Sequence, residues 1–385
     1  MSHSLSAAVA SLAVVGSAHA GAFTGGNLLV QRMGDGSTTL GSAATQVSVL
    51  EFASTGGSAV QTINMPTTGS NQVTDAGSAA SDGYLNVYSG YVGVSGYNNA
   101  TGTANVASQN TKVGTVLGSD GNVASRTLFP TSGTMPFTGN NFRSMIATGT
   151  NSFYASGTGN ASTGGVWYSN NGNFTQVSSA ASGQPNNVRN VEIYGGNLYT
   201  SSAAGTGYGV WQVGTGLVTT GGNTSTLLIN AGTNASTYGF VLFDTNSDGT
   251  MDLAYLADDR TVTGGGLQKW VLSGGTWTNS WSVLVNATGT TSTTAATGFA
   301  GIRGLTGTWD AVNGAQLFAT TTEINNNRLI AFSDTGTTPA SFTNLASAGS
   351  NYAFRGVDMY GAVPAPGAAA LIGMAGLINT RRRKA

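Results

Sequence analysis

Residues 141–167 read NFRSMIATGTNSFYASGTGNASTGGVW, and residues 187–211 read NVRNVEIYGGNLYTSSAAGTGYGVW. Both stretches run from Asn through an apolar residue and Arg to a Gly/Asn turn, then to an apolar residue before Tyr, a loop and Gly-Val-Trp. The offset between them is 46 residues at the first Asn and 44 residues at the Trp. Self-similarity at this spacing indicates that one supersecondary unit is used several times along the chain.

The same unit recurs toward the C-terminus. IRGLTG (302–307), NGAQLFATT (313–321) and RLIAFS (328–333) form a third copy, and FRGVDMYG (354–361) opens a fourth. Residues 238–284 form a divergent copy of four short apolar runs separated by turn residues. A unit of four strands has the size of one propeller blade, which buries both faces only by stacking against neighbours. The sequence therefore predicts an all-β fold, a β-propeller of four-stranded blades.

The two ends of the repeat region complement each other. FRGVDMYG supplies only the first strand of a blade, whereas NLLVQRM (27–33), QVSVLEF (46–52) and AVQTINM (59–65) supply three. We therefore expect one blade to be shared by both chain ends and to close the ring. The count is about six blades, and the less regular stretch 84–130 leaves seven open. A two-sheet sandwich and a β-helix are the alternatives, which the four-strand rhythm and the repeat length disfavour.

Composition excludes several classes of chemistry. The chain of 385 residues contains no cysteine, so it has neither disulfides nor thiolate nucleophiles. Its two histidines, His3 and His19, lie in the first 20 residues, and removing that segment also removes imidazole catalysis and histidine metal ligation. Without the four basic residues at 381–384, ten basic residues remain against 15 acidic ones. No basic surface is expected, and nucleic acid is therefore not predicted as a partner.

Residues 1–20 have the pattern of a signal peptide. An apolar run from Leu5 to Val15 precedes Ala18-His19-Ala20, a small-x-small cleavage site before Gly21. The segment lacks Lys and Arg before the apolar run, and a buried N-terminal helix is the alternative. The pattern favours export, with signal peptidase as a transient partner and residues 21–361 as the propeller domain.

The C-terminal segment, residues 362–385, contains VPAPGAAALIGMAGLINTRRRKA at 363–385. A proline box, an apolar run of 11 residues (368–378) and a terminal basic cluster follow one another, and the run is short for a permanent membrane span. This order resembles the PEP-CTERM sorting signal of exosortase systems, with Ala365 where that family has Glu. The resemblance implies transient membrane contact, processing by an exosortase-like enzyme, and a destination in the cell envelope or extracellular matrix of a Gram-negative-type bacterium. The matching residues are Pro364, Pro366, Gly367, Arg381, Arg382 and Arg383.

One loop has the pattern of a calcium site. In FDTNSDGTMDL (243–253), oxygen-bearing residues alternate around Gly249, which permits a sharp turn. Position 12 is Tyr255 instead of Glu, which excludes an EF-hand. The loop resembles the calcium loop of FG-GAP-type propeller blades and implies a structural Ca²⁺; an Asx-rich hairpin turn without metal is the alternative. The candidate ligands are Asp244, Asn246, Asp248, Thr250 and Asp252.

Arg143, Arg189, Arg303 and Arg355 occupy one equivalent strand position in four copies of the unit. On innermost strands they would either approach the central channel and bind an anion, or hydrogen-bond to groups of the next blade. The second interpretation is the more common one for repeated arginines.

Two further groups have competing interpretations. Asp258 and Asp259 form an adjacent carboxylate pair, but neighbours on a strand point to opposite faces, which disfavours a shared catalytic task. The tryptophans either stack on sugars or pack between blades, and their equivalent positions favour packing. They are Trp167, Trp211, Trp270, Trp277 and Trp281.

These observations predict an exported, non-enzymatic propeller that acts as a structural, adhesive or binding component. Its binding partner would be a surface polysaccharide or another protein. One alternative is a carbohydrate-active or lyase-type propeller enzyme that uses carboxylates without histidine. Another is a periplasmic ligand-binding propeller in which the tail has no sorting role.

Overall fold

The structure of the protein is a computed structural model that describes residues 20–205 and 207–361. Residues 1–19 and 362–385 lie outside this range, and with them the predicted export and sorting segments except Ala20. The predictions for Ala18, Pro364, Pro366, Gly367 and Arg381–Arg383 therefore remain predictions.

The described residues form strands joined by turns, with two 3₁₀ turns at Gly69–Asn71 and Val106–Ser108. The first strands are β1 (Leu28–Met33), β2 (Ala44–Phe52), β3 (Gln61–Asn64), β4 (Thr74–Ala76), β5 (Tyr84–Tyr88), β6 (Tyr91–Tyr97), β7 (Lys112–Leu117) and β8 (Val123–Leu128). There follow β9 (Phe142–Gly149), β10 (Ser152–Gly157), β11 (Gly165–Asn170), β12 (Asn173–Ser178), β13 (Asn186–Tyr194), β14 (Asn197–Ala204), β15 (Gly209–Val213), β16 (Ser225–Asn230), β17 (Thr237–Phe243) and β18 (Leu253–Asp258). The last are β19 (Gly266–Ser273), β20 (Thr276–Asn286), β21 (Thr291–Ser292), β22 (Phe299–Ala300), β23 (Ile302–Asp310), β24 (Gly314–Thr321), β25 (Arg328–Asp334), β26 (Thr343–Ser347) and β27 (Ala353–Met359).

Most strands belong to antiparallel sets of four. Within the described part of the chain there are six such sets, which we call units: β5–β8, β9–β12, β13–β16, β17–β20, β23–β26, and β27 with β1–β3. The predicted four-strand rhythm of residues 238–284 and of the third copy is confirmed. The less regular stretch 84–130 contains one unit.

The sixth unit combines strands from both ends of the described chain. β27 pairs antiparallel with β1, so that Leu28 lies opposite Met359 and Val30 lies opposite Val357. β1 then pairs with β2, and β2 pairs with β3. The predicted combination of FRGVDMYG with the three N-terminal strands is therefore present.

The first strand of each unit, here called its inner strand, contacts the inner strands of two other units. β27 contacts β5, β5 contacts β9, and β9 contacts β13. β13 in turn contacts β17, β17 contacts β23, and β23 contacts β27. β5 and β9 also form a short parallel pairing at Tyr84–Ser144 and Leu85–Met145. The six inner strands therefore lie side by side, and we call the direction along which they run the axis.

The hydrophobic core is divided among the faces between units. Six clusters of buried apolar side chains each lie between two consecutive units. The cluster around Leu29 and Val49, for example, joins the sixth unit to Val92 and Val113 of the first. Each sheet is thus apolar on both faces, which requires a neighbour on either side. The fold is all-β and propeller-like.

Short turns with the expected chemistry connect the strands within a unit. β13 and β14 are joined by Gly195-Gly196, and β11 and β12 by Asn171-Gly172, with positive φ at all four residues. Two-residue hairpins need this left-handed backbone at both positions, which glycine adopts without strain and asparagine tolerates. The Gly/Asn richness of the sequence therefore supplies the hairpins.

Candidate functional site

The four repeated arginines lie on inner strands, as the sequence predicted. Arg143 is on β9, Arg189 on β13, Arg303 on β23 and Arg355 on β27. Tyr84 and Tyr238 take the corresponding place on the two remaining inner strands, β5 and β17, and their ring centroids are 6.0 Å apart. We call these six residues the arginine–tyrosine ring.

Sequence comparison of the arginine copies alone missed the two tyrosines. A shared position identifies them, because each inner strand carries one tetrad that begins with Arg or Tyr. The tetrads are RGVD (355–358), RGLT (303–306), RNVE (189–192), RSMI (143–146), YGFV (238–241) and YLNV (84–87). The first residue of each tetrad belongs to the ring. The signal was therefore present in the sequence, but it required allowing Tyr in place of Arg.

Hydrogen bonds from the arginines tie neighbouring units together. The Arg143 guanidinium donates to Asn187 Oδ1 at 2.6 Å and to the Val188 carbonyl at 3.0 Å, both in the next unit. Arg189 donates to the Tyr238 hydroxyl and stacks on that ring, with the guanidinium carbon 4.2 Å from the centroid. For Arg143 and Arg189, these contacts confirm the predicted bonding to the next unit.

The other two arginines donate hydrogen bonds to carbonyl groups in loops. Arg355 donates to the Gly77 carbonyl at 2.6 Å, and Arg303 donates to the Thr322 carbonyl at 3.2 Å. Arg303 also forms an ion pair with Asp259, at 3.3 Å between nitrogen and oxygen. Arg303 therefore contacts its own unit and the preceding one instead of the next.

Burial and mutual repulsion act on the ring. The pKa of Arg143 is lowered to about 10, mainly by burial and next by the positive charge of Arg189. Burial, followed by the charge of Arg303, lowers the pKa of Arg355 to about 10. The guanidiniums thus lie close enough to destabilise one another's charged form.

A layer of neutral polar groups follows the ring along the axis. The side-chain amide of Asn86 lies 2.8 Å from Ser144 Oγ and 3.2 Å from Asn190 Oδ1, and Ser144 donates to Asn190 at 2.6 Å. All three side chains are buried. They connect β5, β9 and β13, and therefore join three units through one network.

Two carboxyl groups lie beyond this layer, three positions after the ring in their tetrads. Glu192 and Asp358 line a cavity of about 30 Å³ together with Thr306, Val87 and others. Asp358 accepts hydrogen bonds from the Thr306 hydroxyl at 2.7 Å and from the Val87 amide at 2.7 Å. We call this region the acidic end of the axis.

The carboxyl groups at the acidic end resist ionisation. Burial raises the pKa of Glu192 well above its ordinary value, and the neighbouring Asp358 raises it further, against one hydrogen bond from Asn190. Burial raises the pKa of Asp358 to about 6 although three hydrogen bonds lower it. Both groups therefore hold protons more tightly in the folded protein than in the unfolded chain.

Stability should therefore fall as pH rises from about 4, the pKa of unfolded Glu and Asp, through the higher folded-state values. We expect Glu192→Gln to raise the free energy of unfolding at pH 8, by about 1.4 kcal/mol for each pH unit between the two pKa values. At pH 4 the gain should vanish, because both carboxyl groups are then largely protonated. Urea denaturation of both proteins across this pH range measures the difference. A gain that is equal at pH 4 and pH 8 would contradict the assignment.

The predicted calcium loop joins β17 to β18, and its residues are exposed or half-buried. The Asp244 carboxylate accepts hydrogen bonds from the Asp248 amide at 3.2 Å and the Gly249 amide at 2.8 Å. Asp252 accepts the amide and hydroxyl of Thr245, each at 2.9 Å. The carboxylates are thus used to shape the turn.

Asn246 and Thr250 take part in the same turn. The Asp248 carboxylate accepts the Thr250 amide at 2.8 Å and the Asn246 side-chain amide at 3.0 Å. Across residues 20–205 and 207–361, no group of three or more His, Cys, Asp and Glu side chains is placed to hold a metal ion. The oxygen donors suit Ca²⁺ chemically, but they would have to converge, and calcium binding stays a prediction.

Calcium binding to this loop should stabilise the fold. With free Ca²⁺ at 100 times its Kd, the free energy of unfolding should rise by about 2.7 kcal/mol, and a chelator should reverse the gain. The double variant Asp244→Asn/Asp248→Asn should show no response to Ca²⁺. Differential scanning calorimetry with and without chelator tests this, and an unchanged Tm in the unsubstituted protein would refute the prediction.

The adjacent aspartates have separate partners. Asp258 is fully buried at the end of β18. Its carboxylate accepts hydrogen bonds from Arg260 Nε at 2.8 Å and Arg260 Nη2 at 2.7 Å. Asp259 pairs instead with Arg303 of the ring. The two carboxylates do not converge on one task, as their adjacency on a strand indicated.

Four of the five predicted tryptophans are buried. Trp167 and Trp211 lie at equivalent places on β11 and β15, where their indole N–H groups donate to the carbonyls of Gly164 and Gly207. Trp277 is half-buried. Trp167, Trp270 and Trp281 belong to clusters between units, which confirms the packing interpretation for these three. Trp211 is also buried.

No family model and no curated protein matches the chain. One similar solved structure is a proposed 6-phosphogluconolactonase from Bacteroides uniformis, with a TM-score of 0.44 and 11% identity over 83% of this chain and 82% of that one. Another is a proposed 6-phosphogluconolactonase from Bacteroides fragilis, with a TM-score of 0.44 and 12% identity over 83% of this chain and 81% of that one. An auxiliary nutrient binding protein from Bacteroides ovatus is also similar, with a TM-score of 0.38 and 10% identity over 83% of this chain and 88% of that one. At these identities the similarity concerns the fold alone. Among the described residues, no helix is long and apolar enough to span a membrane.

Proposed function

We propose that the chain is an exported six-bladed β-propeller that serves as a non-enzymatic structural, adhesive or binding component of the cell envelope or extracellular matrix. The six units support the blade count. The cycle of inner-strand contacts and the pairing of β1 with β27 support closure of the ring by both chain ends. Calcium in the loop after β17 would stiffen one blade.

The observation that carries the non-enzymatic proposal is the use made of polar side chains around the axis. Asn86, Ser144 and Asn190 bond to one another across three inner strands. Arg143 bonds to the next unit, and Asp358 bonds to the neighbouring inner strands β5 and β23. Groups held in this way fix the positions of the units, which favours a rigid scaffold.

The alternative, a carbohydrate-active enzyme, needs two carboxyl groups that flank a sugar. Glu192 and Asp358 share a cavity, but its volume of about 30 Å³ has room for a water molecule or two. Pockets for small-molecule ligands measure roughly 300–1,000 Å³. This difference favours the scaffold over the glycosidase.

Export rests on the two terminal segments of the sequence. Signal peptidase would cut after Ala20, and an exosortase-like enzyme would act near Pro364 and Pro366. The membrane contact of the tail would then be transient. A surface polysaccharide or another protein would be the lasting partner.

Mass spectrometry of the protein isolated from the bacterium that encodes it tests export and sorting. We expect an N-terminus at Gly21 and a C-terminus between residues 363 and 367. Replacing Arg381, Arg382 and Arg383 with Gln should leave the tail uncut, whereas Lys at the same positions preserves the charge and serves as the matched control. A mature protein that retains Arg383 and Lys384 would overturn the sorting proposal.

A further inference from the structure

The arginine–tyrosine ring carries more positive than negative charge. Four guanidiniums come from four units, and within the described residues Asp259 forms an ion pair with one of them, Arg303. Asp75 and Asp82, the other carboxyl groups near the ring arginines, are fully buried. Burial raises the pKa of both, which favours their uncharged form. This excess is local, because the whole chain has a formal net charge of −1.

The same ring contains hydrogen-bond donors without partners. The Nε atoms of Arg143, Arg189, Arg303 and Arg355 are buried and have no hydrogen-bond acceptor among the described residues. The Tyr84 hydroxyl, in a side chain only 2% exposed, is likewise unpaired there and lies within electrostatic range of Arg189 and Arg303. A buried donor without an acceptor costs about 1–3 kcal/mol, so a ligand rich in acceptors would be stabilised here.

The two ring arginines beside Tyr238 are less deeply buried than the other two. Arg189 and Arg303 are half-buried, and their guanidinium carbons lie 4.2 Å and 5.8 Å from the centroid of the Tyr238 ring. Arg143 and Arg355 are more deeply buried, with 7% and 2% of their surface exposed. A ligand would therefore contact Arg189 and Arg303 directly, whereas Arg143 and Arg355 would attract it electrostatically from a greater distance.

We infer that the arginine–tyrosine ring is a binding site for an oxyanion, held by Arg189 and Arg303 beside Tyr238. Guanidinium groups bind carboxylate, phosphate and sulfate with charge-assisted hydrogen bonds. An anion at this place would offset the repulsion between the arginines and provide acceptors for the unpaired donors. The inference deepens the proposed function, because it names the ligand class of the binding component and rests on the ring geometry proposed there.

Isothermal titration calorimetry of the purified protein at constant ionic strength tests this inference. The probes are sodium phosphate, sodium sulfate and sodium glucuronate, with sodium chloride and glucose as controls. We expect saturable binding of at least one of the three oxyanions. Arg189→Gln and Arg303→Gln should each weaken that binding by about tenfold or more, since a hydrogen bond to a charged group contributes about 1.5–3 kcal/mol.

Arg126→Gln is the matched control, because Arg126 is half-buried on the outer strand β8 and donates to the Gln72 carbonyl at 2.7 Å. It should leave binding unchanged. Should Arg189→Gln fail to fold by circular dichroism, Arg189→Lys keeps the charge but loses the planar fork, and should still weaken binding.

The probes also separate the sources of the ligand. Binding of phosphate or sulfate alone would identify a free inorganic ion, and binding of glucuronate would identify an acidic sugar; either result supports the site. The inference is overturned if none of the three binds, or if Arg126→Gln weakens binding as much as Arg189→Gln. Failure here leaves the cleavage pattern of the mature protein unaffected, so it is distinguishable from failure of the export proposal.

Discussion

Gly304→Ala should lower the free energy of unfolding by about 3 kcal/mol or more, since overpacking at a backbone contact cannot relax easily. Gly304 lies on β23 next to the ring, and a Cβ there would lie 2.5 Å from the Arg355 carbonyl oxygen and 2.6 Å from Thr320 Oγ1. The Thr320 hydroxyl accepts the Gly304 amide at 2.9 Å and donates to the Arg355 carbonyl at 2.6 Å. The methyl group would break this link between two inner strands.

Urea denaturation measures the effect. Gly41→Ala is the matched control, because Gly41 is exposed and its Cβ would meet no heavy atom within 4 Å. It should change stability by no more than about 0.5 kcal/mol. If Gly304→Ala were as stable as Gly41→Ala, β23 and β27 would not approach each other as described.

Asn86→Ala should lower the free energy of unfolding by about 2–3 kcal/mol, because it removes a buried donor from several acceptors at once. The Asn86 side-chain amide lies within hydrogen-bond distance of Ser144 Oγ, Asn190 Oδ1 and the carbonyls of Met145 and Val191, at 2.8–3.2 Å. These acceptors belong to two other inner strands. The variant therefore tests whether the neutral polar layer holds three units together.

The control is Asn173→Ala, since Asn173 is exposed on the outer strand β12 and donates only a long hydrogen bond of 3.3 Å to the Asn170 carbonyl. Its stability should remain within about 0.5 kcal/mol of the unsubstituted protein. Equal losses in the two variants would show that the network contributes nothing beyond a surface asparagine.

Much of the architecture was predictable from the sequence because the repeat is local and regular. Residue pairs such as Gly195-Gly196 predict hairpin turns, and alternating apolar runs predict the strands. The equivalence of Arg143 and Arg189 placed them on inner strands without reference to three-dimensional contacts. Pairing of the two chain ends followed because the first and last copies are incomplete in complementary ways.

The polar interior was less predictable, because it depends on contacts between units that are distant in sequence. Asn86 and Asn190 are 104 residues apart, and nothing in their local patterns links them. Glu192 and Asp358 likewise line one cavity only because their inner strands, distant in sequence, lie close together in the fold. The tyrosines of the ring were missed because identical residues were compared, whereas the shared property is a large polar side chain on the inner strand.

Closure of the ring by the two chain ends is the central claim, and a pair of introduced cysteines tests it most directly. The chain contains no other cysteine, and Leu28 lies opposite Met359 in the β1–β27 register. Opposite residues of antiparallel strands are about 4.5–5.5 Å apart, within disulfide range. Leu28→Cys/Val357→Cys is the mismatched control, because two residues along a strand add about 7 Å.

After mild oxidation, peptide mass spectrometry should find a disulfide in nearly all of the Leu28→Cys/Met359→Cys protein and little in the control. This result would place residues from both ends of the described chain side by side in one sheet, as a closed propeller requires. Equal cross-linking in the two double variants, or none in either, would contradict the closed ring.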